Sequence, residues 1–295
     1  MKKYIYWFVF LLLFFEVFLR FFFGFCDDVL LREDSDFEYI AKENQSRYRF
    51  RNNIYYNSFS MRSEEIDSNS ITILGLGDSI LNGGVLTDQD SLATSILSKK
   101  ISNLYDKKVQ FLNVSAGSWG PDNCYTYLKK YGNFNASSIF LFVSSHDAYD
   151  NMDFKKIIGI NKSFPNKQYF SSIYEIVDRY LLPRLKRTKK KVTNNSLGIN
   201  KKKKNSKFNS GFNAIYSYSK TNNIPLVIYL HAESEEVKKG SYNEQGKEII
   251  KFASQNNIEL LLDIKESSTL DFRDKIHFNE SGQKKMAEII FNYIK

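Results

Sequence analysis

The region from residue 71 to the C-terminus alternates between short apolar runs and longer amphipathic ones. Five of the apolar runs have the length and composition of buried strands: Ile71–Leu76, Val109–Val114, Ile139–Val143, Pro225–Leu230 and Ile258–Ile264. Helices are predicted over Ser91–Tyr105, Asn123–Tyr131, Gly240–Gln255 and Glu280–Tyr293. The longer stretch between the third and fourth strands is predicted to hold helices at Ile173–Leu185 and Ser210–Lys220, separated by a lysine- and asparagine-rich, mobile segment at Asn194–Asn209. Such alternation indicates a five-stranded parallel sheet with helices on both faces, an α/β fold in three α/β/α layers.

Residues that could take part in catalysis follow the predicted strands. Ser79, Gly117, His146, His231 and the pair Asp274–His277 each lie just beyond a predicted strand end. In open parallel sheets, sites form at the carboxyl ends of the strands, where the connecting loops meet. The sequence therefore predicts that these residues gather at one edge of the sheet.

A serine follows the first predicted strand, and a histidine with a nearby acid follows the fifth. Gly77-Asp78-Ser79 closes the first strand, and Asp274 lies three residues before His277. A serine hydroxyl is a poor nucleophile unless a base lies within hydrogen-bond reach and an acid fixes the tautomer of that base. These residue types predict an activated hydroxyl. The alternatives are that Asp78 or Ser79 only caps a helix, and that Asp274 only pairs with a neighbouring basic residue.

Two further loops are candidates for stabilising negative charge. Gly117 lies among small residues after the second strand, and a glycine can present its backbone N–H to an oxyanion with no side chain in the way. His146 follows the third strand, and a neutral imidazole there can donate a hydrogen bond into the cleft. The alternatives are a tight loop at Gly117 and a structural, buried histidine at His146.

Taken in order, these blocks resemble the SGNH hydrolase superfamily, also called GDSL esterases and lipases, over roughly residues 71–295. The resemblance implies a flavodoxin-like fold, with Ser79 as nucleophile, His277 as base and Asp274 as its orienting acid. It also implies an oxyanion hole formed by Ser79, Gly117 and the third block. That block departs from the family pattern, because His146 stands where an asparagine is expected.

A segment upstream of Ser79 resembles one found in exported bacterial members of this superfamily. Those relatives carry an Asn-x-x-Gly-x-Arg-x-x-Glu pattern, and here Asn57, Ser60, Arg62 and Glu65 occupy its positions. Ser60 replaces the glycine. The resemblance implies a supporting role for Arg62 and Asp78 near the site and action on cell-envelope or exported polysaccharides. The alternative is a surface strand with Arg62 exposed to water.

The first 26 residues predict a retained signal anchor. Lys2 and Lys3 precede an aromatic and leucine-rich run from Tyr4 to Cys26 that is long enough to cross a bilayer. Glu16 and Arg20, four residues apart, can neutralise each other. The flanking charges place the N-terminus in the cytoplasm and the rest outside. A cleaved signal peptide and a lipoprotein signal are the weaker alternatives, since neither cleavage pattern is present.

The remaining chain divides into residues 27–70, an irregular neck, and residues 71–295, a hydrolase domain with a basic insertion at about 150–223. The formal charge is +9, yet Arg184–Lys207 alone carries eleven Lys or Arg and no acid; removing those eleven leaves −2. The basicity belongs to one segment, predicted to be a solvated loop, with anionic glycan or lipid head groups as alternative partners. Nucleic acid is not predicted as a partner, and neither a metal nor another cofactor is.

The sequence thus predicts a serine esterase or O-acyltransferase outside the cytoplasmic membrane, acting on O-acyl, most simply O-acetyl, esters of glycans. A membrane-associated lipase or thioesterase is the alternative enzyme. A catalytically weakened polysaccharide-binding or assembly protein is the non-enzymatic alternative, suggested by the substitution at His146.

Overall fold

The structure, a computed structural model, describes residues 2–185 and 207–295. Its first element is the helix α1 (Lys2–Phe23), none of whose residues is fully buried. Within the described ranges, α1 is the one helix long and apolar enough to cross a membrane. The predicted ion pair within it is present, with 2.6 Å between Arg20 Nε and Glu16 Oε1.

Residues 27–70 are not the irregular neck that the sequence predicts. They form two antiparallel hairpins, β1 (Leu31–Asp34) with β2 (Glu38–Ala41) and β3 (Gln45–Arg49) with β4 (Asn52–Tyr56). Strands of four or five residues carry too few alternations to be recognised from pattern. The hairpins bury Phe37, Ile40 and Ile54 and therefore belong to the core.

The predicted five-stranded parallel sheet is confirmed. It consists of β5 (Ile71–Gly77), β6 (Val109–Ser115), β7 (Ser138–Ser144), β8 (Leu226–His231) and β9 (Glu259–Leu262), in the order β6-β5-β7-β8-β9. All neighbouring pairs are parallel. The strands β6 and β7 lie on opposite sides of β5, so the direction in which strands are added to the sheet reverses after β6. This reversal opens a crevice at the carboxyl end of β5, where ligands bind in folds of this type.

Helices cover both faces of the sheet, as predicted. The helices that follow the hairpins within the described ranges are α2 (Ser79–Asn82), α3 (Ala93–Tyr105), α4 (Pro121–Tyr131), a helix within residues 172–185, α5 (Gly211–Thr221), α6 (Ser234–Lys239), α7 (Glu244–Gln255) and α8 (Glu280–Ile294). On one face, α3 and α8 pack Leu97 and Met286 against Phe140. On the other face, α4, α5 and α7 pack against Leu74 and Leu141.

The predicted helix Gly240–Gln255 is present as α7 but begins four residues later, at Glu244, and the short helix α6 before it was not predicted. Gly240 ends α6 in a left-handed conformation with φ +67°, and the side chain of Asn243 then accepts hydrogen bonds from the N–H groups that begin α7. The helices predicted at Ile173–Leu185 and Ser210–Lys220 are present within one or two residues. Most of the basic segment Arg184–Lys207, and most of the stretch Asn194–Asn209 predicted to be mobile, lies outside the described residues.

Candidate active site

Ser79 stands at the carboxyl end of the central strand β5, as the first residue of the short helix α2. The side chain of Asp78 caps this helix by accepting a hydrogen bond of 2.8 Å from the Ile80 N–H. The chain before Ser79 is tightly packed, because a Cβ on Gly77 would lie 3.0 Å from Phe142 Cβ. The nucleophile candidate therefore sits on a turn that is held rigidly from both sides.

The structure brings Ser79, His277 and Asp274 together. The Ser79 Oγ lies 3.0 Å from His277 Nε2, and His277 Nδ1 lies 2.8 Å from Asp274 Oδ2. A carboxylate at Nδ1 holds the ring proton there, which leaves Nε2 able to accept the serine proton. The three groups form a continuous hydroxyl–imidazole–carboxylate chain.

The Asp274 carboxylate is fixed by its own loop. Its Oδ1 accepts hydrogen bonds from the N–H groups of Ile276 (2.9 Å) and His277 (2.8 Å). Partial burial alone raises the pKa of Asp274, but these N–H groups and the His277 ring outweigh burial and lower the pKa below its usual value. Asp274 is therefore ionised at neutral pH, which suits it to orient the imidazole.

A second histidine, His231, forms a hydrogen bond with the loop that carries Asp274 and His277. His231 is buried at the end of β8, with Nδ1 2.8 Å from Asp263 Oδ2 and Nε2 2.7 Å from the carbonyl oxygen of Ile276. Burial opposes the charged ring, but Asp263 raises the pKa of His231, so both ring nitrogens are donors. The sequence places His231 at the correct edge but does not predict this contact. Asp263 lies 32 residues away, and nothing in the pattern links the two.

Gly117 lies in the loop after β6, as predicted. Tyr39 holds this loop through a 2.7 Å hydrogen bond from its hydroxyl to the Gly117 carbonyl. A Cβ on Gly117 would meet nothing within 4 Å, so its absence leaves open space beside the loop. Among the residues that the structure describes, the backbone N–H groups of Ser79 and Gly117 make no hydrogen bond, and both remain able to donate to a substrate oxygen.

His146 follows β7 as predicted, but its environment differs from the neutral ring that the sequence analysis expects. Its Nδ1 lies 3.2 Å from Glu233 Oε1, and its Nε2 lies 3.6 Å from Asp147 Oδ1. Burial opposes protonation, yet Asp147, Glu233 and Asp78 together raise the pKa of His146 to about 10. The neighbouring acids therefore favour the imidazolium form over the neutral ring. The sequence could not indicate this charge, because the partner Glu233 lies 87 residues away along the chain.

Two buried carboxyl groups accompany this imidazolium. Asp78 is 2% exposed and Asp147 is 1% exposed. Burial raises the pKa of both groups, that of Asp147 to about 8, while the positive His146 ring opposes the rise. Donor atoms of Asp78, His146 and Asp147 lie within 4.8 Å of one another, the spacing of a metal site. Because the positive ring already offsets the negative charge that these acids can carry, we interpret the group as an internal cluster of ionisable side chains.

Arg62 is buried beneath the loop that follows Ser79, and the alternative of a water-exposed arginine is wrong. Its guanidinium donates to the carbonyl oxygens of Asn82, Gly84 and Thr87, the last at 2.6 Å. Ser60, which replaces the family glycine, has a φ of +61°, a conformation that glycine adopts most readily. The upstream segment thus fixes the chain just beyond the candidate nucleophile.

Asn82 is a supporting residue that the sequence analysis missed. Its buried amide donates to the Tyr56 hydroxyl at 3.1 Å and to the Ser115 carbonyl at 3.1 Å. These bonds tie the end of α2 to the end of β6, and therefore connect the loops that carry Ser79 and Gly117. An asparagine three residues after the serine is the signal available in the sequence, and it is weak.

Comparisons with known proteins find similarity in fold. No family model and no curated protein matches the chain. Among solved structures, a lipase/acylhydrolase from Enterococcus faecalis aligns over 76% of this chain and 95% of its own, with 12% identity and a TM-score of 0.46.

A second solved structure, from the lipolytic G-D-S-L family of Veillonella parvula, aligns over 76% of this chain and 97% of its own, with 14% identity and a TM-score of 0.43. An acetyl xylan esterase from Geobacillus stearothermophilus aligns over 77% and 97%, with 12% identity and a TM-score of 0.42. At these identities and scores, the similarity does not establish an activity.

Proposed function

We propose that the protein is a serine ester hydrolase of the SGNH type. The observation that carries this proposal is the continuous hydrogen-bond chain from the Ser79 Oγ through His277 to Asp274, at 3.0 and 2.8 Å. The nucleophile, the base and the orienting acid lie within hydrogen-bond distance of one another. The backbone N–H groups of Ser79 and Gly117 can donate hydrogen bonds to an oxyanion.

The reaction follows from these positions. The Ser79 Oγ attacks the ester carbonyl carbon while His277 Nε2 takes the hydroxyl proton. The Ser79 and Gly117 N–H groups, assisted by the positive charge of His146, stabilise the oxyanion of the tetrahedral intermediate. The intermediate collapses as His277 returns the proton to the leaving alcohol, and the acyl group remains on Ser79. Water, or a sugar hydroxyl in acyl transfer, then attacks this acyl-enzyme and gives its proton to His277. The second tetrahedral intermediate collapses by breaking the bond between the acyl carbon and the Ser79 Oγ, and His277 returns the proton to that oxygen.

The substrate we propose is an O-acetyl ester of a glycan outside the cytoplasm, with α1 as a signal anchor and the N-terminus in the cytoplasm. A cavity of about 200 Å³ has Ser118, the neighbour of Gly117, in its wall. Eight of its ten lining residues carry hydroxyl, amide or charged groups: Glu38, Tyr39, Ser118, Asn123, Asp150, Asn151, Asp153 and Lys155, beside Ile157 and Phe164. Hydroxyl, amide and carboxylate groups suit a sugar better than a long acyl chain.

A comparison of acyl chain lengths tests this substrate class. The full-length protein in detergent is expected to hydrolyse p-nitrophenyl acetate with a larger kcat/KM than the octanoate or palmitate, because the cavity is small and polar. Acetylated xylan or mannan oligosaccharides should release acetate in the presence of the wild type and not of Ser79→Ala. A kcat/KM that rises steadily with chain length would contradict the glycan ester and favour a lipase or thioesterase.

Substitutions of His146 test whether its side chain helps to stabilise the oxyanion. We expect His146→Ala to lower kcat by about 10²–10³ with little change in KM, the loss typical of removing one group that stabilises the oxyanion. We expect His146→Asn to stay within about tenfold of the wild type, because an amide N–H at this position can donate to the oxyanion in place of the ring's charge.

Both substitutions remove the cation from the buried carboxyl cluster, so both should lower the melting temperature by a similar amount. Because both variants lack the charged ring, the difference between their kcat values measures the contribution of the amide N–H alone. Equal kcat values for the wild type and His146→Ala, at a lowered melting temperature, would make His146 a structural residue.

A further inference from the structure

The helix within residues 172–185 has its apolar side facing outward. The side chains on this side are Phe170, just before the helix, followed by Tyr174, Val177, Leu181, Leu182 and Leu185, exposed by 79, 47, 36, 45, 39 and 63%. The opposite side carries Glu175, fully buried, and Arg179, 14% exposed. A helix in contact with water shows the reverse arrangement, so the outer side of this helix fits an apolar environment.

Ion pairs fix this orientation. Glu175 accepts hydrogen bonds from the guanidinium of Arg49, which is itself fully buried, and from the Cys26 N–H at 2.7 Å. Arg179 lies 3.1 Å from Glu175 and also pairs with Asp28. Rotation of the helix to cover its leucines would leave these buried charges without partners, at a large free-energy cost.

The start of this helix is bound to the middle of α1. Glu16 accepts hydrogen bonds from the Ser171 hydroxyl at 2.9 Å and from the N–H groups of Ser172 at 2.9 Å and Ile173 at 3.1 Å. If α1 crosses the bilayer from Lys2, Glu16 lies roughly 21 Å along it, at about 1.5 Å per residue, which is inside a hydrocarbon core of about 30 Å. A carboxylate at that depth needs internal donors, and the helix start supplies three.

We propose that the 172–185 helix is a second membrane-contacting element, with its outer apolar side embedded among the lipids of the outer leaflet beside α1. This inference rests on the proposed anchoring by α1. The occupant is lipid because the apolar side continues the exposed surface of α1, whose Phe14, Phe18 and Phe21 are 53, 38 and 79% exposed.

Depth-dependent fluorescence quenching tests the proposal. The full-length protein, with Cys26 replaced by serine, is labelled with bimane at Leu181→Cys and reconstituted into phosphatidylcholine vesicles that contain doxyl-labelled lipids. Leu104→Cys is the matched control, because Leu104 is a leucine on the helix α3 with the same 45% exposure. Phe14→Cys reports on α1 itself.

We expect quenching at Leu181 to be several-fold stronger than at Leu104 and similar to that at Phe14. Quenching at Phe14 but not at Leu181 would overturn the proposal and leave the α1 anchor intact. Quenching at neither position would overturn both. Crosslinking between copies through Leu181→Cys, without quenching, would assign the apolar side to a second copy of the chain instead. Hydrolysis of p-nitrophenyl acetate at the wild-type rate shows that each labelled variant is folded.

Discussion

Replacing Ser79 by alanine is expected to lower kcat for p-nitrophenyl acetate by about 10⁵–10⁶, the loss typical of removing a nucleophile that acts within a triad. The hydroxyl forms the acyl bond in the first step, and no other described side chain lies within hydrogen-bond distance of His277 Nε2 to replace it. The melting temperature should change little, because the Ser79 side chain makes no other recorded hydrogen bond within the described residues.

Ser95→Ala is a suitable control for this substitution. Ser95 lies on α3, away from the Ser79–His277 contact, and its loss should leave kcat unchanged. Wild-type turnover by Ser79→Ala, at the purity of the wild-type preparation, would rule out the serine-hydrolase proposal.

Substitutions in the loop that carries His277 should be nearly as severe. His277→Ala is expected to reduce kcat as much as Ser79→Ala, and the double variant no further, because residues that act as one unit do not contribute additively. Asp274→Asn is expected to cost about 10⁴, since an amide cannot hold the Nδ1 proton of His277 in the same way. Steady-state kinetics on the four variants, with melting temperatures as the control for folding, measures both effects.

The double variant is the sharper test. If the fold-loss of kcat in the double variant equalled the product of the two single-variant losses, Ser79 and His277 would act independently. That result would contradict the 3.0 Å contact between them. A loss of less than tenfold in Asp274→Asn would reassign Asp274 to a purely structural role in its loop.

The parts of the fold predicted from sequence are those specified by local pattern. The strands β5 to β8 are continuous apolar runs because both faces of the sheet are covered, and such runs are recognisable without knowledge of their neighbours. The edge strand β9 is shorter than predicted, Glu259–Leu262 rather than Ile258–Ile264. Its partly exposed residues carry a weaker signal. The gathering of Ser79, Gly117 and the Asp274–His277 loop follows from the parallel topology alone.

The features that the sequence analysis missed depend on partners that are distant in the chain. The charge on His146 is set by Glu233, and the burial of Arg62 is set by carbonyl groups 20 to 25 residues further on. A local sequence pattern spans fewer residues than separate these partners, so it cannot show either contact. The outward apolar side of the 172–185 helix was likewise hidden, because an amphipathic pattern does not indicate which side faces the protein.

The most direct test of the central proposal is covalent labelling with a fluorophosphonate ester, followed by peptide mass spectrometry. A serine activated by His277 should be phosphonylated once per chain, on the peptide that contains Ser79, and Ser79→Ala should show no adduct. His277→Ala should keep the serine but lose its rapid labelling, since the base that activates it is absent. Labelling on another residue, or an equal rate in the wild type and His277→Ala, would contradict the proposal that Ser79, His277 and Asp274 act as one catalytic unit.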